Sequence, residues 1–153
     1  MMNKAYSEID DNYPTCEETY ATLRIYLPAQ DNPDLISDEL GIKPSKIQKK
    51  GEIHKGRKRK WPTAWFLSTR DQVESKDVRR HIEWLLDQLT SKEGILKNYQ
   101  SAGYEMDIFC YWVSAQGHGG PMLSPNQMNR LAKCGLGISF DIYNGDNVHP
   151  ALR

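Results

Sequence analysis

Residues 22–41 read TLRIYLPAQDNPDLISDELG, a strand passed to a helix with punctuation at each end. Leu23, Ile25 and Leu27 alternate with Thr22, Arg24 and Tyr26. That period of two belongs to a strand with one face buried. Pro28 has no N–H to give a ladder and ends it. Asn32 is placed to cap a helix, and Pro33 suits the first helical position, where a missing N–H costs nothing. Asp34 complements the helix dipole, Leu35, Ile36 and Leu40 form an apolar stripe, and Gly41 is a natural left-handed stop with Ile42 folding back.

Downstream, the basic stretch Lys43–Lys60 reads as a short strand and a loose hairpin loop, and Thr63–Thr69 (TAWFLST) as a second strand of β-favouring residues. Val78, Ile82, Leu85, Leu86 and Leu89 recur at helical spacing, with Ser75 and Ser91 as candidate caps. The helix continues as 93–102. Glu105–Ser114 (EMDIFCYWVS) is apolar on both faces at its centre, the mark of an interior strand. After the loop 116–120 (QGHGG), Ser124, Pro125 and Gln127 spell a capping box, and Met128, Leu131 and Ala132 a stripe. Ile138, Phe140 and Ile142 alternate with Ser139, Asp141 and Tyr143 in a last strand, which Asn144-Gly145 ends.

The order β-α-β-β-α-β-α-β predicts a single α+β domain over 20–145. Its sheet is antiparallel or mixed, with helices mainly on one face, broadly ferredoxin-like. Residues 1–19 read as a loose polar N-terminal arm and 146–153 as a short polar tail.

Composition narrows the function classes. The chain has 153 residues, 39% hydrophobic and 26% charged, with a formal net charge of zero. Net charge therefore points neither to nucleic acid nor to a membrane. No stretch reaches the ~18 apolar residues of a spanning helix. Three scattered cysteines, Cys16, Cys110 and Cys134, suit free thiols in a reducing, cytoplasmic compartment and a monomer. The zero hides an asymmetry. Residues 1–40 carry nine carboxylates against two cations, and residues 43–60 nine cations against one carboxylate.

The strand TLRIYL, then Asn32-Pro33-Asp34 and Ile36–Ser45 (ISDELGIKPS), with Gly51, Trp65, the helix 78–89 and the closing Leu131-Ala132, Leu136-Gly137 and Phe140–Tyr143, resembles the bacterial "domain of unknown function 4279" family. That resemblance implies no activity and no catalytic residues. Domains of this kind occur in toxin–immunity neighbourhoods, so it implies a binding role.

No metal or cofactor is expected. His54, His81, His118 and His149 are far apart, without paired ligand spacing, and read as surface histidines. Cys110 and Cys134 fall where buried, inert thiols belong. The Gly-rich loop before a helix has the order of an anion cradle, but lacks the P-loop ending and has prolines at 121 and 125.

Three functional readings result. The favoured one is a non-catalytic protein-binding domain, with a toxin as the partner if it is an immunity-type inhibitor. Alternation places Arg24, Tyr26, Asp141 and Tyr143 on the outward sheet face, and tyrosine and arginine are favoured at binding hot spots. The same four residues, as cross-strand Arg–Asp and Tyr–Tyr pairs, would instead only stabilise the sheet. The second reading is nucleic-acid binding through segment 43–61, with Lys55, Arg57, Lys58, Arg59 and Lys60 on phosphates and Trp61 stacking. The third is an enzyme of unrecognised type, with Asp141, Arg24 and His118 as its acid–base groups.

Overall fold

Alternation in the first strand frames the molecule. In the computed structural model, which describes residues 4–51 and 61–147, strand β1 runs Cys16–Tyr26 with Ala21, Leu23 and Ile25 fully buried on one side. A helical turn, α1 (Lys4–Ser7), precedes it. Then come α2 (Asp34–Leu40), β2 (Lys46–Gln48), β3 (Ala64–Ser68), α3 (Val78–Gln88), α4 (Glu93–Ser101), β4 (Glu105–Ser114), α5 (Pro125–Lys133), β5 (Gly137–Asn144) and a 3-10 turn at Gly145–Asn147. From β1 onward the strands and helices follow the expected order, except that the expected long helix and its continuation are two helices, α3 and α4, separated at the left-handed Ser91.

The five strands form one sheet in the order β2-β3-β1-β4-β5. The pairs β2–β3, β3–β1 and β1–β4 are antiparallel, while β4–β5 is parallel, so the sheet is mixed. Strand β4 lies inside the sheet, as its two apolar faces require. Helices α2 to α5 share one core with one face of the sheet. Ile36, Leu40, Ile82, Leu85, Leu86, Leu96 and Leu131 pack with Leu23, Ile25, Trp65, Leu67, Ile108, Cys110 and Trp112. Each fully buried Leu or Ile contributes on the order of 1.5–3 kcal/mol. Trp65 adds a polar anchor, its Nε1 donating to Ser37 Oγ at 3.0 Å.

The helix ends follow their chemistry. Gly41 takes the left-handed φ of 65° that closes α2, and Ser124 and Gln127 form the full capping box of α5. Helix α2 begins at Asp34, one residue beyond the expected start, and Asn32 Oδ1 still accepts from the Asp34 N–H at 3.0 Å. Helix α3 is capped by Asp77, not Ser75, its Oδ1 accepting from the Arg79 N–H. A carboxylate wins because it also holds the Arg79 guanidinium. Ser91 is no cap but a left-handed residue, φ 65°, between α3 and α4.

Two expectations are corrected. Residues 16–19 belong to β1, and the described part of the arm is tied down. The Arg79 guanidinium donates to Tyr6 O and the Asp10 N–H to Asp77 Oδ2. Arg80 grips both oxygens of Asp11, while Tyr13 OH donates to Gly120 O at 2.6 Å. These long-range ties leave no periodic trace in sequence. His81, expected at the surface, is buried instead. Its Nε2 meets the Ser75 carbonyl at 2.8 Å and its Nδ1 meets Thr69 Oγ1 at 2.6 Å. A carbonyl only accepts, so Nε2 carries a proton; burial lowers the ring's pKa, and in the neutral form Thr69 donates to Nδ1.

Candidate functional site: the helix-free sheet face

Opposite the core, a second set of side chains stands on the sheet, and no described helix packs on it. Strand β1 presents Tyr20, Thr22, Arg24 and Tyr26, with Phe66 beside them on β3. Strand β4 presents Asp107, Phe109, Tyr111 and Val113, and β5 Ser139, Asp141 and Tyr143. Register determines who meets whom. Tyr20 lies opposite Tyr111, and Tyr111 opposite Asp141, at one level; Phe66, Arg24 and Asp107 line up at another.

At the first level the rings form a cluster. Tyr20 stacks on Tyr111 with centroids 4.9 Å apart, and Tyr143 tilts against Tyr111 at 5.4 Å. Together they bury Tyr111 and Val113 in a small apolar patch separate from the main core. The Arg70 guanidinium lies over the Tyr20 ring, 5.4 Å from its centroid, a favourable cation–π placement. Tyr143 OH donates to Asp141 Oδ2 at 2.7 Å. That hydrogen bond is the main reason the phenol's pKa is raised, with lesser help from desolvation. Tyr20 is also raised, chiefly by burial.

At the second level Arg24 forms a fork on Asp107, Nε to Oδ1 at 2.7 Å and Nη2 to Oδ2 at 2.5 Å. The hydrogen bond to Asp107 is the largest reason the guanidinium's affinity for its proton is raised. The same group lies 4.5 Å from the Phe109 centroid and 5.8 Å from that of Tyr26. Tyr26 in turn meets Phe66 edge-on.

Arg24, Tyr26, Asp141 and Tyr143 thus share one face, as alternation requires, but in two groups. Strand β4 separates β1 from β5, so Arg24 pairs with Asp107 rather than Asp141, and Tyr143 meets Tyr111 and not Tyr26. Lys55, Arg57, Lys58, Arg59 and Lys60 lie outside the described residues; Trp61 is half-buried just before β3, its carbonyl accepting from the Gly51 N–H. The sequence reading missed Tyr20, Phe66, Asp107, Phe109, Tyr111 and Arg70. The signal for three of them was present: a strand apolar on both faces must present something on its second face, and on β4 that is Asp107, Phe109 and Tyr111.

The three acid–base candidates do not converge. Strand spacing puts Arg24 and Asp141 on the order of 15 Å apart. His118 is exposed beyond the end of β4, against Gln116 Oε1. The Gly-rich loop is bound to the arm: Ser114 Oγ donates to His118 O, and the Gly120 carbonyl accepts from Tyr13. A cleft of about 620 Å³ runs between loop and arm, lined by Tyr13, Arg79, Gly119 and Met122. All three cysteines are buried. Burial pushes the Cys110 thiol up to about 12 and Cys16 to about 11, and raises Cys134. Among the described residues, no helix is long and apolar enough to cross a membrane.

A family model described as "Domain of unknown function (DUF4279)" matches residues 17–145. No curated protein and no solved structure matches the chain.

Proposed function

The chain belongs to the DUF4279 family, a description that carries no activity, and from its own surface we propose that it is a non-catalytic protein-binding domain that docks partners on the helix-free sheet face. The observation that carries this reading is that one sheet face gathers two aromatic groups, Tyr26, Phe66 and Phe109 about Arg24, and Tyr20, Tyr111 and Tyr143 beside Arg70. Aromatic side chains and arginine dominate interface hot spots because they bury much area at small entropic cost.

Charge favours protein over nucleic acid at this face. Asp107 neutralises Arg24, and Asp141 stands beside Tyr143, so a phosphate backbone would meet carboxylates among the rings. The scatter of Arg24, Asp141 and His118 argues against acid–base catalysis, which needs its groups within hydrogen-bond reach of one substrate. Buried, poorly ionised thiols fit a reducing, cytoplasmic setting. An immunity-type inhibitor of a toxin is the most specific form of the reading.

The test is co-purification with the product of the adjacent gene in the source genome, followed by face variants. Phe66→Asp and Tyr143→Ala should abolish a complex that the parent chain forms, while circular dichroism and melting show retained folds. A complex indifferent to both variants refutes the assignment of this face.

A further inference from the structure

Resting on the reading of the sheet face as a docking surface, we infer that its occupant is a second copy of this chain, related by a two-fold axis along the seam between β1 and β4. Size is the first argument. Strands of 11, 3, 5, 10 and 8 residues, at ~3.3 Å per residue and ~4.8 Å between strands, cover roughly 600 Å² in projection. One side of a standard interface is about 800 Å² of accessible surface.

Charge placement is the second argument, and it selects the partner. Lys46, Arg70 and Arg24 occupy the β2-β3-β1 side of the seam, and Glu105, Asp107 and Asp141 the β4-β5 side. Glu18, near the start of β1, is the exception among the described residues of the face. A two-fold axis along the strands swaps the two sides and preserves the level along them. It therefore sets Arg24 of one copy over Asp107 of the other and Tyr20 over Tyr111.

Arg70 completes the match. It lies two residues past Ser68, which pairs with Thr22, and its guanidinium rests on Tyr20. That is the level of Tyr111 and Asp141. Arg70 forms no ion pair among the described residues, and the two-fold brings it to the partner copy's Asp141. A net charge of zero adds no long-range repulsion between copies. An isologous contact is the commonest way for one surface to cover itself.

The experiment is sedimentation velocity and light scattering from micromolar to millimolar chain at low and moderate salt. The parent chain should be a dimer. Arg70→Asp and Asp141→Arg should each weaken it by at least about tenfold, and the double variant, with charges exchanged, should recover it. Phe109→Asp should yield a folded monomer. A parent chain monomeric throughout overturns the inference, and so does a dimer indifferent to these variants. If a monomeric parent still loses capture of a foreign protein through Phe66→Asp, the second copy is refuted and the docking face stands.

Discussion

Arg24 and Asp107 face each other across the β1–β4 ladder and are joined by two parallel hydrogen bonds, although 83 residues separate them in the chain. The guanidinium is held from three sides, by the carboxylate, the Phe109 ring and the Tyr26 ring. A fork of this kind is stronger than an ordinary surface pair, because both partners are held in one geometry.

The pair should show a measurable coupling. Arg24→Met and Asp107→Asn are each expected to lower stability by about 1 kcal/mol, with a coupling of roughly 0.5–1 kcal/mol in the double-mutant cycle. Urea denaturation of the four proteins measures it. A coupling indistinguishable from zero would reduce the fork to a surface coincidence.

His81 should make stability depend on mildly acid pH. Its pKa is lowered from 6.5, chiefly by burial, which outweighs the Ser75 carbonyl and the nearby Asp77 and Asp11. The unfolded chain therefore takes up this proton at higher pH than the folded one. Stability is full above about pH 6.5 and falls as pH drops from there towards the folded pKa. Melting at pH 7.5 and 5.5 should show a larger drop for the parent than for His81→Gln. Equal drops would mean that the ring charges without cost.

Gly119 should tolerate no side chain, while its neighbour should. At Gly119 φ is +86°, and a Cβ there would strike the Thr15 side chain. Gly120 has neither constraint. Gly119→Ala should cost about 1–2 kcal/mol from the backbone conformation alone, and more from Thr15. Gly120→Ala should stay within about 0.5 kcal/mol. Chemical denaturation of both variants compares them directly.

The thiols should be slow. With Cys110 raised to about 12 and Cys16 to about 11, little thiolate exists at pH 8, and burial blocks access. Alkylation of the native chain should lag far behind that of the unfolded chain, which should yield all three residues under non-reducing conditions. Rapid native labelling would show that one of these sites opens.

Local grammar made most of the fold legible. Gly41, the Ser124–Gln127 box and the alternation of Leu23, Ile25 and Leu27 each act within a few residues, so the chain displays them directly. Pairings across the sheet leave no such trace. Nothing near Arg24 announces Asp107, and nothing near Asp141 shows that β4, not β1, lies beside it. The candidate face was half visible for the same reason. Parity projected Arg24, Tyr26, Asp141 and Tyr143 outward, but beginning β1 at Thr22 hid Tyr20, and reading β4 as simply interior hid Phe109 and Tyr111. The acidic arm was opaque because Asp11 finds its partner, Arg80, on a helix that begins only at Val78.

That arm also sets where the folding unit starts. The family match begins at residue 17, yet Asp77 and Arg79, both almost wholly buried, hold one another beneath residues 6–10. A chain trimmed to the matched region would open this ion pair to water and remove the backbone partners that satisfy it. The shared part of the family and the cooperative unit of this protein therefore differ by the length of a strap. Under denaturant, residues 6–10 should unfold together with the sheet and not ahead of it.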